Sequence, residues 1–443
     1  MKAVLLVGSP ADHRELAVVE SLALRALEAS GHTTVTFRLC DLKMAACLGD
    51  FDCWVKTPGR CRTHDAQQQI VAAIHDADVL VFLGPVTFGG YPSELKKAVD
   101  RLIGLVSPFF THRDGLTHHA LRYERFPRLA GIGWLPAPDE ERHRIFRALV
   151  ESNALNMGAP GWGAVVVDGD PASSGEAIAD ALAACATPGN FSGDARATRE
   201  ALLAAARPDP ATDVFELLPR TAVLIGSARP QGTSNSETLA RHLLERLEAK
   251  GARATIRYAS SFVHDGIAAD CTAHDLATSE LFILASPLYV DSLPYLATRA
   301  LERVARVRSD AGRPPARFVA LMNCGFPEAE HNRVALAIAR SFAHEAGYVW
   351  AGGLALGGGE AIHGRPLADV GGLGRHVRHA LEVAGDALGG GGVIPESAIR
   401  ELALPLLPSM IYRLVGDRSW RSKARENGLK TRDLRSRPLD ELH

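Results

Sequence analysis

The chain reads as two tandem α/β units, each a doubly wound parallel sheet of five strands in the order 2-1-3-4-5. Short β-rich apolar runs alternate with helix-like stretches, the pattern of a parallel sheet covered by helices on both faces. The scheme then occurs a second time in the same order. Matching loops lie 218 residues apart after the first strands (Gly8 and Gly226), 202 apart after the third (Pro85 and Pro287) and 190 apart after the fourth (Gly133 and Asn323). A repeat this long marks two domains, since solenoid repeats run to roughly 20–50 residues.

In the first half the predicted strands are residues 3–7, 35–39, 79–83, 129–134 and 164–167. A helix over 16–29 is stopped by Ser30-Gly31. In the second half the strands are 222–225, 254–258, 281–285, 318–322 and 353–356, and a helix over 236–250 stops at Gly251. The predicted boundaries are a first domain 1–190, a linker helix 191–218 running into Pro208-Asp209-Pro210, a second domain 219–385 and a tail 386–443. The falling offset places extra residues in the first copy, mostly in the cysteine-bearing loop 40–61. From Arg413 onward the tail holds nine Lys/Arg against five Asp/Glu, and is expected to be a solvated or domain-clamping segment.

Composition narrows the function classes. At 443 residues the chain exceeds what one core usually organises. Its 49 basic residues nearly balance 51 acidic ones, so no global field draws in nucleic acid or an anionic membrane. No apolar run approaches the ~18–20 residues that span a bilayer. The opening decapeptide holds one lysine and a run of five apolar residues, too short for a secretory segment, which makes the cytoplasm the expected location. Seven cysteines without regular spacing do not suggest a disulfide framework.

Ligands of an open parallel sheet sit beyond the carboxyl ends of the strands, where the strand order reverses. The first-strand loop of the second copy reads Gly226-Ser227-Ala228-Arg229-Pro230-Gln231-Gly232-Thr233-Ser234-Asn235-Ser236-Glu237. Free amides at a helix start, several hydroxyls and one guanidinium suit a phosphate. The plainer alternative is a serine-rich N-cap that only starts a helix. In the first copy the matching loop offers Ser9 alone among hydroxyls, while Asp12 and Glu15 would repel an anion.

The third-strand loops read differently. Pro85, Thr87, Phe88, Gly89, Gly90 and Tyr91 combine glycines, which let a backbone approach a flat ring, with aromatics that could stack on it. The second copy has Pro287, Leu288, Tyr289, Val290 and Asp291, with Tyr289 as its candidate ring partner. Asn323-Cys324-Gly325 makes a further turn at the same end of the sheet. The alternative for each loop is an ordinary β–α turn with its aromatics in the core.

With these loops the two halves resemble the NADPH-dependent FMN reductase and multimeric flavodoxin families of the flavodoxin-like superfamily. The matching features are Gly-Ser-(Pro/Ala) closing strand one and segment 85–101 with its Leu95-Lys96-x-x-x-Asp100 helix. Segment 287–291 matches the same loop, and the likeness covers residues 1–190 and 219–385. It implies an FMN-dependent oxidoreductase passing electrons from NAD(P)H to a quinone, flavin or nitroaromatic acceptor. It also implies that Ser227, Arg229, Thr233, Ser234, Asn235 and Ser236 hold the phosphate. The ring would lie with Pro287, Leu288, Tyr289, Val290, Asp291, Asn323, Cys324 and Gly325, and secondarily with Ser9, Pro85, Thr87, Phe88, Gly89 and Gly90. Hydride transfer is the flavin's own chemistry, and no side chain is nominated as acid or base. Because such relatives commonly pair subunits, the tandem is expected to form an intramolecular pseudo-dimer, with a further homo-oligomer as an open alternative. An electron carrier without nicotinamide chemistry, or a scaffold that binds no flavin, are the rival readings.

One insertion stands apart. Cys47, Cys53 and Cys61, with Cys40 nearby, resemble the cysteine loop of iron–sulfur flavoproteins in this group, which carry C-x₂-C-x₂-C. Here Asp50 takes the middle position. Four thiolates are the usual requirement of a cluster, so the expectation is a structural loop with no metal. His118-His119 with Tyr123 and the Gly357-Gly358-Gly359-Glu360 turn carry weaker signals and are expected to be ordinary structure.

Overall fold

The computed structural model describes residues 1–442 except 11, 114, 190, 192–194, 211–219 and 310–315. The linker predicted over 191–218 therefore falls partly outside the described residues. The chain divides into two compact units. The first comprises Met1–Arg113, His118–Ser192 and Arg413–His443; the second comprises Asp114–Thr117 and Gly193–Tyr412.

Over residues 1–168 the strands are β1 (Lys2–Val7), β2 (Thr33–Arg38), β3 (Val79–Pro85), β4 (Val106–Arg113), β5 (Leu116–Leu121), β6 (Arg128–Leu135) and β7 (Trp162–Asp168). Five of them form a parallel sheet ordered β2-β1-β3-β6-β7, with Leu5 opposite Val81. The apolar runs explain the order. β1 and β3 are almost wholly buried because helices cover both faces, whereas edge strand β2 alternates exposed and half-buried residues. Helix Glu140–Met157 begins where the Asp139 side chain accepts the Arg142 N–H at 3.0 Å and ends at Gly158, which is left-handed at φ 70°.

The pair β4–β5 is a separate two-stranded sheet that the apolar periodicity did not show. Pro108 interrupts the first run, and histidines fill the second, so neither reads as a core strand. The one available signal was Asp114-Gly115, a dipeptide typical of tight hairpins. This insertion falls between the third and fourth parallel strands, where the offset between copies drops from 202 to 190.

Residues from Arg413 onward pack within the first unit. Trp420, on helix Ser409–Glu426, sits edge-on to Phe51 and to Trp54, with ring centroids 5.3 and 5.2 Å away. Arg122, itself buried, donates to the carbonyls of Leu434 at 3.1 Å, Ser436 at 2.9 Å and Gly104 at 2.9 Å. The basic segment is thus held by one interior arginine and one aromatic cluster together with its own charges, since Arg437 donates to the Arg122 carbonyl at 2.9 Å and Asp440 pairs with His75 at 3.1 Å.

The second unit contains β8 (Arg220–Ile225), β9 (Arg253–Tyr258), β10 (Leu281–Pro287), β11 (Ala316–Asn323) and β12 (Tyr348–Leu356), ordered β12-β11-β10-β8-β9 and parallel throughout. Read from the other edge, this is again 2-1-3-4-5. Helix Ala195–Ala206, within the predicted linker, packs on helix Arg333–Glu345. The stretch after it is tied to the same sheet. Trp350 donates its indole N–H to the Arg207 carbonyl at 2.8 Å, and Arg340 pairs with Asp209 at 2.8 Å. No helix among the described residues is long and apolar enough to cross a membrane.

Trp54 is 1% exposed, stacks on Phe51 and donates its indole N–H to the Ile103 and Val106 carbonyls. Replacing it by alanine should cost the first unit about 3–5 kcal/mol, measured as an earlier denaturant transition in that unit. A Trp54→Ala protein unfolding at the wild-type midpoint would show that this cluster does not anchor the unit.

Candidate functional site

At the carboxyl end of the second sheet, four loops meet through a few polar side chains. Asn323, at the end of β11, is 4% exposed, and its amide nitrogen donates to Ser236 Oγ at 2.8 Å and to the Ser286 carbonyl at 3.2 Å. Its backbone carbonyl accepts the Leu288 N–H at 2.8 Å. One residue therefore joins the loops after β8, β10 and β11. The loop after β12 is added by Gly364, whose N–H donates to Asn235 Oδ1 at 2.7 Å, and by Gly359, whose N–H donates to the Cys324 carbonyl at 2.9 Å.

The loop after β8 begins at a close approach, since a Cβ on Gly226 would lie 2.5 Å from Ser286 Oγ. Ser227 accepts the Arg229 N–H, and Thr233 donates its hydroxyl to the Pro230 carbonyl. Ser234 caps helix Asn235–Ala249 by accepting the Glu237 N–H at 3.2 Å. The N-cap alternative is therefore correct as far as it goes. Yet the backbone N–H groups of Ser234, Asn235 and Ser236 meet no acceptor among the described residues, although these residues are only 4, 7 and 1% exposed. A buried helix start with uncommitted N–H donors has the chemistry that suits an anion. Arg229, on the same loop, pairs with Glu360 at 3.5 Å.

The ring-loop candidates divide between the copies. In each, a two-residue turn is closed by reciprocal backbone bonds, Thr87 with Gly90 and Tyr289 with Ser292. The turn residues are Phe88 (φ 53°) and Gly89 (φ 84°) in the first copy, Val290 (φ 42°) and Asp291 (φ 64°) in the second. A β-branched residue at positive φ is a true outlier, and such strain gathers at functional sites. Pro287, Leu288, Tyr289 and Val290 stay partly exposed, while Asp291 is buried. In the first copy the stacking expectation fails. Phe88 and Tyr91 are 3 and 2% exposed, and Tyr91 meets Phe82 and Phe146 edge-on inside the core. Pro85 and Thr87 remain half-exposed, and a Cβ on Gly89 would strike Ile145 at 2.7 Å.

Nor does the first copy reproduce the phosphate loop. Its helix begins at Arg14, capped by His13 Nδ1 accepting the Leu16 N–H, and Ser9 is buried behind it. The Leu95-Lys96-x-x-x-Asp100 motif is structural, a fully buried Lys96–Asp100 ion pair one helical turn apart. Cys324 is buried, and burial pushes its thiol up to about 12. It serves as a small apolar filler at this end of the sheet, not as a nucleophile.

In the cysteine loop, Cys61 Sγ lies 3.3 Å from Arg101 Nη2, and Arg101 pairs with Asp65 at 2.6 Å. Burial pushes the Cys47 thiol up to about 12 and raises Cys53 as well, each further raised by the neighbouring thiols. His118 binds Asn156, and His119 packs on Trp54, so this pair belongs to the first unit's interior. No group of three or more His, Cys, Asp or Glu side chains among the described residues is arranged to hold a metal ion.

Sequence comparison finds its family match in the first unit. Residues 1–113 match the family model of the NADPH-dependent FMN reductases. The chain is similar to an iron-sulfur flavoprotein of Methanocaldococcus jannaschii, 31% identical over 101 residues, 23% of this chain and 51% of the relative. A second iron-sulfur flavoprotein, from Archaeoglobus fulgidus, is 26% identical over 103 residues, 23% of this chain and 46% of its own. The chain thus spans about half the length of these curated relatives. Among solved structures, an NAD(P)H:quinone oxidoreductase from Methanothermobacter marburgensis aligns with 41% of this chain and 94% of its own at 15% identity and a TM-score of 0.33. The resemblance to the reductase family is carried by the first unit's sequence, and the flavodoxin-like fold by the strand order of both sheets.

Glu328, in the loop after β11, gives a pH dependence. Burial raises its carboxyl, but the His331 ring, 3.7 Å away, and the Ser409 hydroxyl outweigh that and hold it near 2, below its ordinary 4.5. A carboxyl depressed by folding stabilises the native state above the unfolded value, and that stability is lost as pH falls from about 4.5 toward 2. Glu328→Gln should therefore flatten the acid limb of the stability profile while lowering stability at pH 7. An unchanged acid limb in urea titrations would contradict this assignment.

Proposed function

We propose that the chain is a flavin-dependent oxidoreductase whose second unit binds FMN. The observation that carries this reading is the orphaned set of amides at Ser234, Asn235 and Ser236 on a buried helix start at the carboxyl end of β8. A phosphate there would receive three N–H bonds, the helix dipole and the field of Arg229. Ser227, Thr233 and the Ser234 and Ser236 hydroxyls would complete the pocket. Pro287, Leu288, Tyr289, Val290, Asp291, Asn323, Cys324 and Gly325 would hold the ring, with the partly exposed Tyr289 turn leaving one side open to donor and acceptor. When bound, FMN would supply the redox chemistry, taking electrons from NAD(P)H and giving them to a quinone, flavin or nitroaromatic. The protein's part is anchoring, orientation and exclusion of water.

In Ser234→Glu a carboxylate would face the phosphate position, and flavin affinity should fall at least about a hundredfold. Glu15→Ser, in the first copy's loop, should leave it unchanged. Flavin content of the purified proteins, read from absorbance near ~450 nm, decides the matter. Stoichiometric flavin in Ser234→Glu would refute the assignment.

The two curated relatives are named iron-sulfur flavoproteins, which raises the cysteine loop as a second question. We propose that this loop is structural here. Asp50 stands where a thiol would be needed, Cys61 is engaged by Arg101, and Trp54 anchors the segment. Replacing Cys47, Cys53 and Cys61 together by serine should leave flavin content unaltered. Near-stoichiometric iron and acid-labile sulfide in anaerobically purified wild-type protein would overturn the proposal.

A further inference from the structure

Ser234 and Glu237 have the spacing of a capping box, in which the acidic side chain folds back onto the N–H of the capping residue itself. Here it does not. Glu237 Oε2 accepts the N–H of Gly232 at 2.7 Å, two residues beyond the cap, at a glycine with φ 77°. The other oxygen, Oε1, accepts from Arg241 Nε at 2.9 Å, from Arg241 Nη2 at 2.6 Å and from the Tyr258 hydroxyl at 2.9 Å. Glu237 is 2% exposed, so this orientation is set by packing as well as by bonds. The consequence lies one residue away, because the Ser234 N–H that a closed box would have consumed stays uncommitted.

We infer that Glu237 is a positioning residue for the phosphate group of the flavin. It pins the loop at Gly232 and thereby keeps the Ser234, Asn235 and Ser236 amides turned toward a ligand. This rests on the reading of the second unit as an FMN site. A carboxylate beside a phosphate would ordinarily repel it. Arg241, one helical turn along, offsets that charge, and the Tyr258 hydroxyl takes up a remaining lone pair. Burial raises the Glu237 carboxyl, but the bonds from Gly232, Arg241 and Tyr258 prevail and hold it below the ordinary carboxylate range. The group is thus an anion that the ligand need not displace.

Affinity for FMN compared with riboflavin, which lacks the phosphate, isolates the effect from general destabilisation. In full-length apoprotein, Glu237→Ala should weaken FMN binding about tenfold or more while riboflavin binding changes less than about twofold. Amide exchange in the peptide covering residues 230–236 should quicken in the same variant without ligand. Glu237→Gln keeps an oxygen for Gly232 and should retain the wild-type preference for FMN, which guards against a variant that merely misfolds. A Glu237→Ala protein with undiminished preference, or equal loss in both variants, would overturn the positioning role. A wild-type protein that binds FMN no better than riboflavin would remove the phosphate site itself, and this inference with it.

Discussion

The carboxamide of Asn323 holds together the end of the second sheet. A buried amide must satisfy its hydrogen-bonding groups or incur a desolvation penalty of about 1–3 kcal/mol for each one left over. Asn323 meets that demand by bonding outward to Ser236 and Ser286, so the loops after β8 and β10 cannot shift independently. Gly359 sits so near that a Cβ there would come within 3.0 Å of Asn323 Oδ1, which brings the loop after β12 into the same constraint. A parallel sheet gathers its loops at one end. This amide decides how they are locked.

Comparison of the two copies shows how one scaffold carries different loads. Both close the third-strand loop with the same reciprocal two-residue turn. The first eases half of the strain by placing Gly89 in the left-handed region and sinks Phe88 into the core. The second keeps Val290 and Asp291 there, at a cost on the order of 1–3 kcal/mol each, and leaves Tyr289 partly open to solvent. Two strained residues at a partly exposed rim, next to a buried helix start with uncommitted N–H groups, contrast with a turn whose Phe88 and Gly89 are buried. That contrast supports assigning ligand binding to the second unit, although the family likeness is strongest in the first.

The first unit spends its peculiar residues on cohesion. Trp54, Phe51 and Trp420 form one aromatic cluster, and the buried Lys96–Asp100 pair stiffens the helix after the turn. The Lys96–Asp100 pair belongs to a segment that resembles a flavin-ring loop, so sequence likeness alone does not separate a ligand contact from a structural pair. Arg122 illustrates the same economy, with one guanidinium bonded to the carbonyls of Gly104, Leu434 and Ser436.

Much of the architecture was legible in the sequence because it depends on local pattern. Apolar runs buried on both faces, glycine stops and the twofold recurrence of Gly-Ser loops specify ten parallel strands and their order without reference to distant contacts. The loop proposed to take a phosphate was recognisable for the same reason, as a strand-to-helix junction crowded with hydroxyls. The β4–β5 hairpin was not, since its residues lack period-two apolarity and its cue was a single Asp-Gly. Nor could spacing reveal that Phe88 and Tyr91 face inward, for a stacking surface and a core aromatic share one composition. The direction of Glu237 is the sharpest case. Ser-x-x-Glu permits a closed cap or an open one, and the open one is selected by Arg241, one helical turn along, together with Tyr258, which only the tertiary fold brings to that carboxylate.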